Sequence, residues 1–554
     1  MQKPGYVAFI GACIAALVTL PGLGSGTLWD NSETAYGEVA REILLYHDAV
    51  VMHLNGAVWF VQPPLYFWLA ALFAKIFGIG TFALRLPAAL ATIAMGAMTG
   101  YAVERSAGAR AGLYATMILS TSLMQAIVGR LAIMDALLDL AVAMTIFWWF
   151  RALQTGLARY FIFGWVATAF GVLAKGPVAL VVALMVIVPF YFWNRRREPM
   201  TLPSWKTWCA GLALFALVVA PWPLMVFFRV GSGAIGELIG HYTIGRYTGT
   251  IENQAGPVWY YVPVLILGFF PWVAFFPAAI VYGINQLRRD APNDGFDALI
   301  RLALVWIVVP FVFFSLAQTK LPNYIALEIP ALAFIVALYF DSIVKRYRRR
   351  SLLISSAAIP VTIGCLAVAI VLFAHVNRLT ADAQSVSGDL IAVGTVLFLG
   401  SIVTTLLFLS ERTAVHAAQV LAASAAASIV LLGVVALPHA ERFKPIPRLA
   451  AVIEARRQPG DRVAIQGVPG GNALVFYTEP GVVAVGASGD PHPAGATSAR
   501  EVICAAERAF VVGSRRRPTD DPAFGRRRTV LAQDGNDALF LFDGPRCTQV
   551  SPRS

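Results

Sequence analysis

The sequence predicts an α-helical polytopic membrane protein that ends in a small α/β domain. Three observations carry that reading. Hydrophobic residues make up 58% of the 554, charged residues only 13%, and mean hydropathy is +0.68. Soluble chains are nearer half apolar and one quarter charged. The apolar residues gather in segments of about the 20 residues that a helix needs to cross a bilayer, with short runs of Lys and Arg between them. From about residue 439 those segments stop, and short strand-like and helix-like runs alternate. The net charge of +12 follows from the basic inter-span loops, as the positive-inside rule requires, so no nucleic-acid partner is expected.

In chain order, the first apolar segment, 7–24, lacks a small-residue cleavage site and reads as an uncleaved anchor. About twelve further spans follow, at roughly 86–103, 111–129, 133–150, 160–174, 177–193, 208–228, 258–285, 302–318, 323–340, 352–374, 390–409 and 415–437. With the first span running outward, "ERSAGAR", "RALQTGLAR", "NRRRE", "NQLRRD" and "KRYRRR" all fall inside. The outside then receives a long first loop, 25–66, the turns "GRLAIMD", "AKGP" and "TKLPNY", the segment 229–257, and the tail. This divides the chain into a membrane domain, 1–438, and a periplasmic α/β domain, 439–554. In the tail, "PRLAAVIEARR" and "SAREVICAAE" have helical spacing, and "RVAIQGV", "AFVVG", "RTVLAQ" and "ALFLFD" read as strands. Cys504 and Cys547 fall there and suit one disulfide if that side is extracytoplasmic.

The first outer loop carries an unusual charge density. Residues 33–46 suit an interfacial helix with Tyr36, Ala40, Ile43 and Leu44 on one face and Glu38, Arg41 and Glu42 on another. Asn55-Gly56 marks a hairpin turn, Pro63-Pro64 stops it, and "LYFWLAALFAKIF" suits a second interfacial helix with Lys75 snorkelling. Asp30 followed by Glu33 matches a capping box, and a capping carboxylate can also serve a site.

Asp135 stands at the outer end of its span, with Asp139 one turn deeper. An ionisable group at that depth is costly and points to function unless it is paired; the structural alternative is a salt bridge from Asp135 to Arg130. Asp139 reads as a helix-packing polar group. Lys175, Arg246 and Lys320 put cations on the same side, suited to a phosphate at the membrane mouth. His241 is a candidate metal ligand together with Glu33, so a divalent cation is a candidate cofactor. Carboxylates and cations converging outside an apolar core point to chemistry on a lipid-linked phosphate ester.

In "SETAYGEVARE", "HLNG", "QPPLYFW", "LRLP", "GRLAIMD", "LAKGP" and "TKLPNY", the chain resembles the polyprenyl-phosphate-dependent GT-C glycosyltransferases. Within that group it is similar to bacterial relatives of the 4-amino-4-deoxy-L-arabinose lipid A transferase and of the protein O-mannosyltransferases (PMT family). The resemblance covers essentially the whole chain. It implies a sugar transfer from an undecaprenyl-phosphate-linked donor to lipid A, a glycan or a protein at the periplasmic face of the bacterial inner membrane. It also implies that Glu33 and Asp135 lie near the catalytic centre, with Asp30 standing in for the family aspartate at Ser32, and that Lys175, His241, Arg246, Lys320 and Tyr324 line the donor phosphate or the cavity. Tyr36 and Arg130 are further candidate substrate-binding residues. Ser32, Ala35 and Val61-Gln62 depart from the aspartate, arginine and Glu-Lys of the aminoarabinose enzymes, which implies a donor site rebuilt for another sugar or acceptor. A lipid-linked sugar transporter or flippase is the alternative, and an enzyme scaffold that has lost activity is a third reading.

Overall fold

The computed structural model describes residues 5–29, 31–236, 240, 245, 249, 254–289, 294–345, 347–376, 381–478, 481–485, 503–504, 506–514 and 527–544. The helices used below, in chain order, are α1 (Tyr6–Thr19), α2 (Ser32–Tyr46), α3 (Leu65–Phe77), α4 (Asp135–Thr155), α5 (Ala158–Lys175), α6 (Asp294–Leu316), α7 (Ile329–Lys345), α8 (Pro445–Glu454) and α9 (Gly471–Tyr477). The strands are β1 (His53–Leu54), β2 (Ala57–Val58), β3 (Arg462–Gln466), β4 (Val482–Val485), β5 (Arg508–Ser514), β6 (Arg527–Asp534) and β7 (Asp537–Asp543).

The chain forms two compact units. The first takes Met1–Ser25, Val61–Tyr66 and Arg85–His439; the second takes Gly26–Phe60, Phe67–Leu84 and Ala440–Ser554. The sequence places the first loop with the membrane domain; the structure instead puts most of it in one unit with the tail.

The first unit is helical. Among the described residues, 7 helices are long and apolar enough to cross a membrane, or up to 9 if each of two bent pairs counts as one span. The bent pairs are Trp205–Val219 with Pro221–Val230, at 42°, and Val258–Gly268 with Trp272–Leu287, at 106°. They replace the single straight spans expected over 208–228 and 258–285. The helix expected over 111–129 breaks at Thr121–Ser122, where both hydroxyls donate back to carbonyls one turn earlier. Pro322–Ile343 is buried along its whole apolar stretch, so the 3-10 turn that opens it, Pro322–Glu328, is held by the core.

The pair α4 and α5 matters most for the site. Gly156 ends α4 in the left-handed region at φ 68°, as helix C-termini commonly do. The chain then returns antiparallel through α5. Gly164 admits the close approach, since a Cβ there would lie 2.2 Å from the Trp149 ring. At about 1.5 Å of rise per residue, two helices of 21 and 18 residues bring the start of the first back to the end of the second.

The second unit holds a five-stranded sheet in the order β4-β3-β5-β7-β6. β3 runs parallel to β4 and β5, and β7 is antiparallel to β5 and β6. The strands expected from "RVAIQGV", "AFVVG", "RTVLAQ" and "ALFLFD" form, and α8 forms from "PRLAAVIEARR". β4 and α9 have no counterpart in the sequence reading. Ile503 and Cys504 are helical, and Cys504 is in a disulfide; Cys547 lies outside the described residues.

In the first-loop part of this unit, Asn55 and Gly56 turn the β1–β2 hairpin at φ 55° and 78°. α2 forms over the expected residues with Ala40 and Ile43 buried as expected, but its acidic face is buried as well. Glu33, Glu38 and Glu42 are buried, while Leu45 and Tyr46 are exposed. The reason is that the acidic face packs against α9 and the hairpin: Glu38 meets Arg41, and Glu42 accepts the Gly56 N–H at 3.0 Å.

Candidate active site

Asp135 opens α4 and Lys175 closes α5. An acid at a helix N-terminus and a base at a C-terminus both suit the helix dipoles. The antiparallel return brings the two together, with Lys175 Nζ donating to Asp135 Oδ1 at 2.5 Å. The alternative partner expected for Asp135, Arg130, is elsewhere. Its guanidinium donates to the Pro21 carbonyl at 2.9 Å and to the Val18 carbonyl, closing the C-terminal end of α1. Arg85 does the same for Leu23 and Ser25. Arg130, expected to line the substrate, is therefore a staple on the first helix.

A second donor reaches the same carboxylate. Asn323, in the 3-10 turn, donates from Nδ2 to Asp135 Oδ1 at 2.6 Å. The next residue, Tyr324, sits under the ammonium, with Lys175 Nζ 5.3 Å from its ring centroid, within cation–π range. These four residues line a cavity of about 170 Å³ together with Gln62, Pro63, Thr319 and Asp139; apolar side chains including Leu138, Val181, Phe313, Phe314 and Leu327 complete its wall. Lys175 is the single cation lining it among the described residues. A larger concavity, about 600 Å³, lies between Val262–Pro277 and Ile307–Val312, but its lining is apolar apart from Thr362 and holds no group able to do chemistry.

Asp139 is 2% exposed and lines the cavity below Asp135, and its Oδ2 has no hydrogen-bond partner among the described residues. Burying a carboxyl oxygen without a partner is costly. That is unlike a packing group, which is what the sequence suggests for this residue. Thr319 and Asn323 lie inside the quoted "TKLPNY" but are not named there as site residues. A polar residue beside the aromatic in a turn at the membrane mouth is the signal that could have found Asn323.

Lys320 is expected among the phosphate-holding cations, and the structure gives it other work. Its ammonium donates to the carbonyls of Ala317 at 2.7 Å, Ser315 at 2.8 Å and Phe314 at 3.4 Å. An ammonium has three protons, so capping the end of α6 uses all of them. Glu33 and Tyr36 belong to the second unit. Glu33 is 2% exposed, and its Oε2 accepts the Trp29 N–H at 2.8 Å. This closes the chain just before α2 but is not the expected Asp30–Glu33 capping box: the N-cap residue is Asn31, which makes no side-chain capping bond. Tyr36 packs edge-on against Trp59 and Phe67 at centroid distances of 6.2 and 5.6 Å. Asp30, His241 and Arg246 lie outside the described residues. Among the described residues, no three His, Cys, Asp or Glu side chains gather as a metal-ligand set. Of the two candidate ligands only Glu33 is described, and its Oε2 accepts the Trp29 N–H.

A buried carboxylate bridged by an ammonium and an amide, at one end of an apolar cavity, can take an anion on the ammonium and orient a hydroxyl on the carboxylate. Known proteins point the same way. A family model described as dolichyl-phosphate-mannose-protein mannosyltransferase matches residues 61–224. The undecaprenyl phosphate-alpha-4-amino-4-deoxy-L-arabinose arabinosyl transferase 2 of Proteus mirabilis (strain HI4320) is 28% identical over 383 residues, which are 66% of this chain and 65% of that protein. The corresponding transferase of Edwardsiella ictaluri (strain 93-146) is 31% identical over 342 residues, 58% of this chain and 57% of that one. The match thus spans less than two thirds of either relative. The crystal structure of ArnT from Cupriavidus metallidurans bound to undecaprenyl phosphate has a TM-score of 0.80 at 22% identity, covering 98% of each chain. This chain has that fold.

Proposed function

We propose that this chain is a membrane glycosyltransferase that moves a sugar from an undecaprenyl-phosphate-linked donor to lipid A, a glycan or a protein of the cell envelope. The observation that carries the reading is the Asp135–Lys175–Asn323 cluster at one end of an apolar-walled cavity. The names of the relatives support the donor class. The transfer takes place at the outer face of the bacterial inner membrane, with thirteen crossings and the α/β tail in the periplasm. The basic inter-span runs support that orientation.

In the reaction, an acceptor oxygen attacks the anomeric carbon as its bond to the lipid phosphate breaks, with inversion. Lys175 holds the departing phosphate, whose charge grows as the bond breaks. Lys175 makes one hydrogen bond to protein among the described residues, so its remaining protons suit the phosphate oxygens. Asp135, kept in place by Asn323, orients the acceptor or assists the base, and Asp30 or Glu33 serves as that base. Arg246 is a second candidate for the phosphate. A divalent cation held by Glu33 and His241 is a further proposal, tested by whether a chelator stops transfer. Gln62 in the cavity wall, where the aminoarabinose enzymes carry a lysine, supports a sugar other than aminoarabinose.

The test is mass spectrometry of envelope lipids and glycans from a strain lacking this protein and one carrying Asp135→Asn. Both should lose the same sugar-sized mass from one component. Unchanged components, with a lipid-linked sugar redistributed across the bilayer, would replace catalysis with transport.

A further inference from the structure

In the acidic segment that opens the first loop, Thr27, Leu28, Trp29 and Asn31 are held by side chains more than 400 positions later in the chain. Thr27 donates its hydroxyl to Glu441, and its carbonyl accepts from Lys444 Nζ at 3.0 Å. The Leu28 N–H donates to the Tyr477 hydroxyl at 2.7 Å. Lys444 Nζ lies 4.0 Å from the Trp29 ring centroid, steadied by Glu441 Oε1 at 2.7 Å. Asn472 Nδ2 donates to the Asn31 side-chain oxygen at 3.0 Å and to its carbonyl at 3.3 Å. All of these residues belong to the second unit.

Two features show that the grip sets a conformation. Asn31 holds φ 68° and ψ −73°, a backbone that costs of order 1–3 kcal/mol and persists only where its surroundings over-determine it. Leu28 and Glu33 are nearly sealed from solvent, at 1% and 2% exposure. The loop's own bond, Trp29 N–H to Glu33, closes the chain just before α2. It does not reach Thr27, Leu28 or Asn31, and the tail residues hold those three. The helix α2 is docked as well, because Arg41 donates to the carbonyls of Val475, Phe476 and Thr478 around the end of α9. At Gly37, a Cβ would lie 3.0 Å from the Phe476 ring.

We infer that the C-terminal α/β domain is a positioning element for the transfer reaction: Lys444, Asn472 and Tyr477 template the segment 27–31, and so set where the first-loop carboxylates Asp30 and Glu33 are presented. This rests on the proposed role of those carboxylates. The tail need not touch substrate, because its contribution is the geometry of the loop, and a displacement near 1 Å can cost about 100-fold in rate.

The test uses the full-length protein in lipid nanodiscs and three measurements: amide exchange over 27–34, binding of undecaprenyl phosphate, and restoration of the missing sugar mass in a strain lacking the protein. The variants are Asn472→Ala, Tyr477→Phe and their double, with Lys444→Met and Lys444→Arg as a pair. The double should exchange faster over 27–34, bind undecaprenyl phosphate as the parent does, and transfer roughly 10–100-fold more slowly, in kcat. Lys444→Met should be slowed and Lys444→Arg, which keeps a cation over Trp29, should behave as the parent. Unchanged exchange in the double variant would overturn the inference, and so would faster exchange with parental transfer. Asp30→Asn and Glu33→Gln that both retain transfer would instead remove the carboxylates from the reaction, and the positioning role with them. That failure is recognisable because the tail variants would still loosen 27–34.

Discussion

Each unit of this chain buries a carboxyl group beside a cation, and the two pairs differ in what the cation has left to give. In the first unit, Lys175 makes one hydrogen bond among the described residues, to Asp135, and faces a cavity. In the second, Arg41 Nη2 lies 2.8 Å from Glu38, and the guanidinium also serves three carbonyls around the end of α9. By that measure Arg41 is structural: both terminal nitrogens are engaged with Glu38 and the protein's own backbone, and only its buried Nε lacks a partner among the described residues. Lys175 is poised for a ligand, because in a low-dielectric wall an ammonium with spare protons is a strong anion site. Burial and pairing are alike in the two places. What separates function from architecture is the count of unused donors.

The sharpest way to break the comparison is to remove each cation in turn. Lys175→Met should leave the fold intact and lower transfer about 100–1,000-fold, the usual cost of losing a donor to developing charge. Undecaprenyl phosphate binding and the envelope mass profile check it. Parental transfer in this variant would end the reading of Lys175 as the phosphate partner.

Arg41→Ala should act on stability. It orphans the carbonyls of Val475, Phe476 and Thr478 and strips Glu38 of its partner, a loss of about 3 kcal/mol, read as an earlier melting transition of the loop–tail unit. Any loss of transfer should follow the loss of folded protein. A large transfer defect at full stability would place Arg41 in the chemistry.

Glu38 gives the comparison a pH axis. Burial pushes its carboxyl from 4.5 up to about 8, with Glu42 adding to the rise and Arg41 opposing it. The native state then holds a proton that the unfolded chain releases above about pH 4.5. Stability is therefore full below that pH, falls as pH rises toward 8, and levels off beyond. Melting of the full chain between pH 5 and 9 should show this slope, and Glu38→Gln should flatten it. A slope of the opposite sign would mean that the ion pair with Arg41 outweighs burial.

The sequence made much of the scaffold legible, for identifiable reasons. The span pattern, the Asn55-Gly56 hairpin and the four matched tail strands rest on local signals: apolar length, turn chemistry and alternation. Asp135 and Lys175 could be picked out because polar residues at the ends of apolar helices are conspicuous. Their direct contact was also within reach, since two antiparallel helices of similar length must return to one end. The unread parts depend on distant partners. Nothing near residues 38–42 announces that the acidic face of α2 is buried along with its apolar one, because the surface that buries it comes from α9, over 400 residues on. The loop and tail were assigned to separate domains for the same reason. Asn323 is not singled out, and Asp139 reads as a packing group, because a lone amide or carboxyl in an apolar run looks the same whether it packs or points into a cavity.

Lys320 supplies the smallest expected effect and the most direct check on counting donors. By sequence it ranks with Lys175: both are lone lysines beside a Pro at the outer end of a span. In the structure all three of its protons go to carbonyls at the end of α6, so a phosphate could take it only by uncapping that helix. Lys320→Met should cost about 1 kcal/mol of stability, as the loss of a cation from a helix C-terminus does, and should change transfer by no more than about threefold. Parallel melting and transfer assays on the two lysine variants decide the matter. If Lys320→Met lost transfer as deeply as Lys175→Met, the cap would have to open during turnover, and donors engaged with backbone in the resting fold could no longer be assigned to architecture.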